Sequence, residues 1–252
     1  MEYQQDYTSN PVARKNMYDE AGRSGKAEKI IAVLQDFLGP TEALSVLDVS
    51  CSTGIMEKVL SEHFAKVVGI DIDAKAVEHA RSVENGANVE FHVMDALHTS
   101  FGADTFDVVI CNQMYEHVPD AGQLLREIAR VLKPGGVCYF GATNRFKVIE
   151  THYGRLPFLS YLPKPLAHLY LRILGRGKFY YENLYSCGTL RKLCAGFDLI
   201  DYTDKVVRDP VKFRATDVVA PGTFTQQLAS VMLRVAYPLF PGYIWLLRKA
   251  RR

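Results

Sequence analysis

The sequence predicts an α/β fold, a doubly wound, mainly parallel sheet of seven strands with helices on both faces. Two observations support this class. Short runs rich in β-branched residues alternate with amphipathic segments of about ten residues, and the first run passes directly through a small-residue turn into a helix. Strands that alternate with helices pair in parallel through right-handed crossovers. The 252 residues suffice for one such domain with an insertion.

The elements follow in a regular order. The predicted strands are residues 44–49, 65–71, 88–94, 106–111, 137–141, 197–202 and 243–249. The predicted helices are residues 27–38, 55–64, 74–81, 120–132, 188–195 and 223–236. Gly39-Pro40 ends the first helix, and Lys133-Pro134-Gly135-Gly136 ends the fourth. The last two strands are expected to pair antiparallel at one edge of the sheet.

The alternation is interrupted between residues 145 and 185, which we call the lid. Between Glu150 and Glu182 the charged residues are all Lys or Arg, and they are interleaved with Leu, Phe and Tyr. We predict a helical cap inserted after the fifth strand of a single domain spanning residues 1–252. Either its basic face is merely solvated, or it selects an anionic or lipid-linked acceptor or rests on an anionic membrane surface.

Composition narrows the class of protein. The formal net charge is +2, so no strong field indicates nucleic acid as a partner. The five cysteines show no metal-type spacing and lie in apolar surroundings, which is typical of reduced thiols in the cytoplasm. Residues 1–10 lack an apolar signal core, and Arg234, Pro238 and Pro241 interrupt the apolar stretch 228–247, so we predict neither secretion nor a membrane span.

The turn after the first strand indicates a nucleoside ligand without phosphates. Asp48 begins the turn, Gly54 closes it, and Asp71 ends the next strand at the spacing of a ribose-binding carboxylate. A dinucleotide fingerprint needs glycines where this chain has Ser50 and Ser52, and no Lys-Ser or Lys-Thr of a P-loop follows.

Several ordered motifs resemble those of the class I S-adenosylmethionine-dependent methyltransferases, in the type 11 branch. They are the acidic loop 48–54, the run 106–112 followed by 115–118, and the segment 132–136. The resemblance spans residues 43–141. The family usually carries glycine at the positions of Ser50 and Ser52. If Ser50 had to adopt a positive φ, the serine would cost about 1 kcal/mol relative to glycine.

This resemblance implies S-adenosylmethionine as the cofactor. The loop would hold its amino acid end, Asp71 its ribose, and Asp95 with Ala96 its adenine amino group. The predicted cofactor-binding residues are Asp48, Ser50, Cys51, Ser52, Gly54, Asp71, Ile72, Asp95, Ala96 and Asn112. Each aspartate alone could instead cap a helix or begin a turn.

Methyl transfer from a sulfonium is an in-line displacement that needs positioning more than catalytic side chains. A histidine base suits a hydroxyl acceptor, and the candidates are His117, His152 and Tyr153. His117 could instead have a structural hydrogen-bonding role, and the other two could be ordinary loop residues. We predict no metal site.

We therefore predict a methyltransferase acting on oxygen of a small molecule that is anionic, sugar-linked or lipid-linked. A non-catalytic cofactor-binding or scaffolding protein and a nucleotide-dependent oxidoreductase are the alternatives. The sequence does not identify the acceptor, because one fold serves many substrates.

Overall fold

The structure is a computed structural model that describes residues 17–251, so the prediction for residues 1–10 lies outside it. Its main sheet contains β1 (Ser45–Asp48), β2 (Lys66–Asp71), β3 (Val89–Val93), β4 (Phe106–Asn112), β5 (Leu132–Thr143), β8 (Asp198–Asp201) and β9 (Gly242–Arg248). A separate hairpin joins β6 (Ile149–Glu150) to β7 (Leu156–Pro157).

The strands of the main sheet lie in the order β3-β2-β1-β4-β5-β9-β8. Among these seven, β9 alone runs against the others, pairing antiparallel with both β5 and β8. The predicted fold class and the antiparallel pair are confirmed. Chain order reverses between β1 and β4, and ligands of such sheets bind outside the carboxyl ends of the strands at this switch point.

The helices largely match the predicted periodic segments. In residues 17–251 they are α1 (Glu20–Leu38), α2 (Ile55–Leu60), α3 (Ala74–Ser82), α4 (Ala121–Val131), α5 (Lys164–Ile173), α6 (Cys187–Leu193), α7 (Thr203–Arg208) and α8 (Phe224–Val235). Helix α1 begins earlier than predicted because Asp19 caps it, accepting the N–H of Gly22 at 3.1 Å. The short helix α7 was not predicted.

Alternate residues of the central strands enter two hydrophobic cores, one on each face of the sheet. Leu47 and Val109 join α4 and α6 in one core, whereas Val46 and Ile110 join α1 in the other. This alternation follows from the period-2 geometry of a strand. It holds β1 and β4 rigidly, and with them the residues that follow at their carboxyl ends.

The lid contains the β6–β7 hairpin, a 3₁₀ turn (Leu159–Tyr161) and a single α-helix, α5. It has a small core of its own, made of Leu156, Leu159, Ala167, Leu171 and Tyr180. Leu166, Leu169 and Ile173 on α5 remain exposed. The lid is thus an extended hairpin and one helix, less helical than predicted.

The five cysteines are buried and free, as predicted. No helix in the part of the chain that the structure describes has both the length and the hydropathy that crossing a bilayer requires.

Candidate active site

Three aspartates mark the carboxyl ends of adjacent strands. Asp48 ends β1, Asp71 ends β2 and Asp95 follows β3, and these strands pair in sequence. In each case Oδ1 accepts the backbone N–H two residues further on, at 2.8, 2.9 and 2.9 Å respectively. These local bonds fix the carboxylates at one edge of the sheet.

The turn after β1 is shaped by its backbone. Ser52 adopts the left-handed conformation, with φ of 54°, and Ser50 does not. Its N–H donates to Oδ2 of Asp71 at 2.9 Å, so the strained residue ties the turn to the end of β2. Gly54 has φ of 81°, and a Cβ there would lie 2.8 Å from Cζ of Phe91, so this position requires glycine.

The strand ends open into a cavity of about 310 Å³, a size typical of small-molecule sites. Most of the predicted site residues meet in its wall. They are Asp48, Ser50, Ser52, Asp71, Ile72, Asp95, Ala96, Asn112, His117 and His152.

Three predicted site residues, Cys51, Gly54 and Tyr153, do not line the cavity. Cys51 is buried and belongs to a small apolar cluster. It packs against Gly69, where an added Cβ would lie 2.7 Å from the Cβ of Cys51. Tyr153 packs within the lid, where its hydroxyl accepts the N–H of Tyr181 at 3.1 Å. Gly54 shapes the turn from behind.

The end of β4 is closely packed. Oδ1 of Asn112 would lie 2.0 Å from a Cβ at position 141, so only glycine fits beside this amide. The next residue, Gln113, has φ of 54°, and its N–H donates to the carbonyl of Gly141 at 2.7 Å. Backbone strain of this kind is often found at binding sites.

Helix α1 contributes cavity residues that the sequence analysis missed, notably Arg23 and Lys26. The hydroxyl of Thr53 donates to the carbonyl of Met17 at 2.6 Å. This bond holds the segment before α1 against the turn that follows β1. Lys26 Nζ donates to Oε1 of Gln113 at 3.4 Å, and burial lowers the pKa of Lys26. Only the spacing of these basic residues on the polar side of α1 could have indicated them.

Two buried acids interact beside the cavity, Asp48, which lines it, and Glu57, which does not. Burial raises the pKa of Asp48 to about 6 and raises that of Glu57, in the first turn of α2, well above its usual value. Burial and the neighbouring Asp48 both disfavour the ionised form of Glu57, whereas the N–H of Ser50 favours the ionised form of Asp48. The carboxyl group of Asp48, which lines the cavity, suits a ligand ammonium group.

His152 is held by a buried acid of the lid. Its Nδ1 lies 2.6 Å from Oε1 of Glu150, to which Lys147 Nζ also approaches to 3.2 Å. Tyr180 donates to the other oxygen at 3.1 Å. Although burial acts to lower it, the bond to Glu150 leaves the pKa of His152 above its usual value. The ring of His117 stands edge-on to that of His152, and burial lowers the pKa of His117 to about 3.

Residues 47–140 match the family model described as a methyltransferase domain, type 11. This segment is a class I S-adenosylmethionine-dependent methyltransferase domain. Its bounds run from β1 into β5 and include the three aspartates and Asn112, as the resemblance of the motifs implied. The cofactor of this family is S-adenosylmethionine.

Curated relatives are similar over part of the chain. A ubiquinone biosynthesis O-methyltransferase of Bordetella avium is 32% identical over 160 residues, covering 60% of this chain and 59% of that protein. The corresponding enzyme of Azoarcus sp. is 32% identical over 161 residues, covering 62% and 64%. The chain thus matches less than two thirds of the length of these relatives.

Solved methyltransferase structures align with nearly the whole of this chain. The plantazolicin methyltransferase BpumL, in complex with a pentazolic desmethylPZN analog and SAH, aligns with a TM-score of 0.62 at 20% identity, covering 98% of this chain and 94% of that one. A putative methyltransferase in complex with the Trm112 activator of Haloferax volcanii gives 0.59 at 17% identity, covering 99% of both chains. At these identities the likeness establishes the fold, and the activity is argued from the site.

Proposed function

We propose that this protein transfers a methyl group from S-adenosylmethionine to an oxygen atom of a small-molecule acceptor. The observation that carries the proposal is a single cavity that joins the carboxylates of Asp48, Asp71 and Asp95 to the imidazoles of His117 and His152. The carboxylates match the ammonium, ribose and adenine groups of the cofactor. The relatives named O-methyltransferases support oxygen as the acceptor atom.

In this arrangement the chain acts mainly by positioning. Asp48 would accept hydrogen bonds from the methionine ammonium, and Asp71 from the ribose hydroxyls, so that the methyl group points into the part of the cavity lined by His117 and His152. Holding the acceptor oxygen in line with the sulfur–methyl bond supplies most of the rate enhancement in such a displacement. The oxygen forms the new bond to carbon, the sulfur keeps the electron pair of the broken bond, and the hydroxyl proton passes to water.

We also propose that the acceptor is anionic or lipid-linked. From residue 151 to 181 the chain has no Asp or Glu, and Leu166, Leu169 and Ile173 are exposed on the same segment. Basic groups beside exposed apolar side chains suit an anionic headgroup or a molecule embedded among lipids.

Titration calorimetry with S-adenosylhomocysteine tests the cofactor assignment. We expect binding at one site on the purified chain, and Asp71→Asn should weaken it at least about tenfold, since a charged hydrogen-bond acceptor contributes roughly 1.5–3 kcal/mol. Asp198→Asn, the same change at the far edge of the sheet, should leave the affinity unchanged. Absence of binding by the folded wild-type protein would refute the proposal.

A further inference from the structure

Three side chains beside the cavity form a cluster that the proposed cofactor contacts do not use. Glu116 and His117 lie in the 3₁₀ turn after β4 (Tyr115–His117), and His152 follows β6 at the start of the lid. One carboxylate oxygen and one ring nitrogen from each histidine all lie within 4.8 Å of one another. We propose that this cluster binds a divalent first-row transition-metal ion.

The state of Glu116 points to a cation. The side chain is completely buried, and neither carboxylate oxygen has a hydrogen-bond partner among the described residues. An unpartnered buried carboxyl group costs free energy that a bound ion would recover, and such groups in folded proteins call for a missing ligand or water.

Each histidine has a buried carboxylate on the Nδ1 side of its ring, at hydrogen-bond distance for His152 and at ion-pair distance for His117. Nδ1 of His152 is engaged by Glu150 at 2.6 Å, which leaves Nε2 as the ring nitrogen for an ion. Nδ1 of His117 lies 3.9 Å from Oε1 of Glu182, itself a buried acid. Histidine ligands commonly face a carboxylate with their second nitrogen, which orients the ring and strengthens its basicity.

The ligand set indicates the kind of ion. Two imidazoles and one carboxylate suit Zn²⁺, Mn²⁺, Co²⁺ or Fe²⁺, whereas Mg²⁺ and Ca²⁺ prefer oxygen ligands. Ligand atoms at about 2.0–2.2 Å from one ion lie no more than about 4.4 Å apart, so closure requires side-chain shifts on the order of 1 Å. His117 and His152 line the cavity, so the remaining coordination positions face the acceptor.

A role for the ion follows if the proposed function holds, and this step rests on it. The acceptor hydroxyl oxygen would coordinate the ion and lose its proton to water. The oxygen would then attack the methyl carbon, and the sulfur–carbon bond would break with its electron pair returning to sulfur. A divalent ion stabilises the ionised oxygen without a protein base.

The binding of Co²⁺ to the full chain, stripped of metal with a chelator, tests the site. We expect one equivalent to bind and to give the visible d–d absorption of cobalt with nitrogen ligands. Glu116→Gln and His152→Ala should each weaken Co²⁺ binding at least about tenfold, and Glu150→Gln, which removes the charge that orients His152, by about 10–100-fold. Zn²⁺ should compete for the same site.

His63→Ala removes a histidine outside the cluster and should leave Co²⁺ binding unchanged. A folded wild-type protein that gives no cobalt spectrum would overturn the proposal, as would equal affinity in Glu116→Gln, His152→Ala and His63→Ala. Binding of S-adenosylhomocysteine, measured on the same metal-free protein, separates the two proposals, because the cofactor contacts do not include the ion.

Discussion

Asp48 is buried, which disfavours its ionised form, yet the proposed contact with the ligand ammonium requires that form. The balance between these two effects determines the pH at which Asp48 can bind the ligand. Burial raises its pKa to about 6, and the N–H of Ser50 stabilises the ionised form only in part. In the ligand-free protein the carboxyl group therefore takes up a proton as the pH falls through 6. Because its folded pKa lies above the unfolded value, its contribution to stability is fully present below the unfolded pKa and is lost as the pH rises through about 6.

We predict that the affinity for S-adenosylhomocysteine decreases by up to about tenfold per pH unit below pH 6 and levels off above it, because the ligand ammonium requires the ionised form of Asp48. Asp48→Asn should bind weakly at every pH and should unfold no more readily than the wild type at pH 7. Calorimetry between pH 5 and pH 8 measures the first effect, and thermal unfolding the second. A slope unchanged in Asp48→Asn would assign the titration to another group.

At the residue scale the sequence predicted which side chains end the strands but not how the backbone between them turns. Asp48, Asp71 and Asn112 reach the cavity because strand ends meet at one edge of a parallel sheet. The positive φ falls on Ser52, whose N–H donates across the sheet edge to Asp71, a contact fixed by the tertiary structure. The sequence indicated His117 and His152 as candidate bases but not that they meet Glu116, since the lid brings together residues far apart in the chain.

At the scale of elements, a buried clip joins α4 to the connection between β3 and β4. Oε1 of Glu127 accepts the N–H and the hydroxyl of Thr99 at 2.8 and 2.6 Å, and Nη2 of Arg130 at 2.6 Å. Hydrogen bonding from Arg130 lowers the pKa of Glu127 to about 2. The clip fixes the segment that follows Asp95 at the cavity.

We predict that Glu127→Gln lowers the free energy of unfolding by about 1–3 kcal/mol at pH 7, because it weakens charged hydrogen bonds at a buried position. The depressed folded pKa means that this stabilisation is present above the unfolded pKa and is lost as the pH falls towards 2. Urea unfolding at pH 7 and pH 3 should therefore show a smaller difference at the lower pH. Glu62→Gln on the surface is the matched control, and an equal effect there would contradict the assignment.

Periodicity located the long elements because burial on one face imposes it on the sequence. It failed for α7 (Thr203–Arg208), which is too short to show a period, and for the two-residue strands of the lid hairpin. The start of β5 at Leu132 was also missed, because Lys133-Pro134-Gly135-Gly136 indicates a turn although Leu132 pairs with Phe106 in the sheet.

At the scale of the molecule, the lid is a unit with its own small core beside the two cores of the sheet. Lys164 Nζ donates to the carbonyls of Tyr180, Tyr181 and Glu182, so α5 holds the returning segment in place. Arg176 and Lys178, which follow α5 in the chain, are exposed. Arg172 has a structural contact, donating to the carbonyl of Lys178 at 3.1 Å, and is less suitable for a test of surface charge.

If the lid approaches an anionic lipid surface, Arg176→Glu combined with Lys178→Glu should reduce binding to vesicles of phosphatidylcholine and phosphatidylglycerol by at least about 30-fold, since each basic group near such a surface contributes roughly 1 kcal/mol. Vesicle sedimentation measures the effect, and binding should weaken with added salt. Lys58→Glu combined with Lys192→Glu changes the net charge equally on α2 and α6 and should have little effect. Equal losses in the two double variants would indicate attraction by net charge alone, and no binding by the wild type would leave the lid's basic face simply solvated.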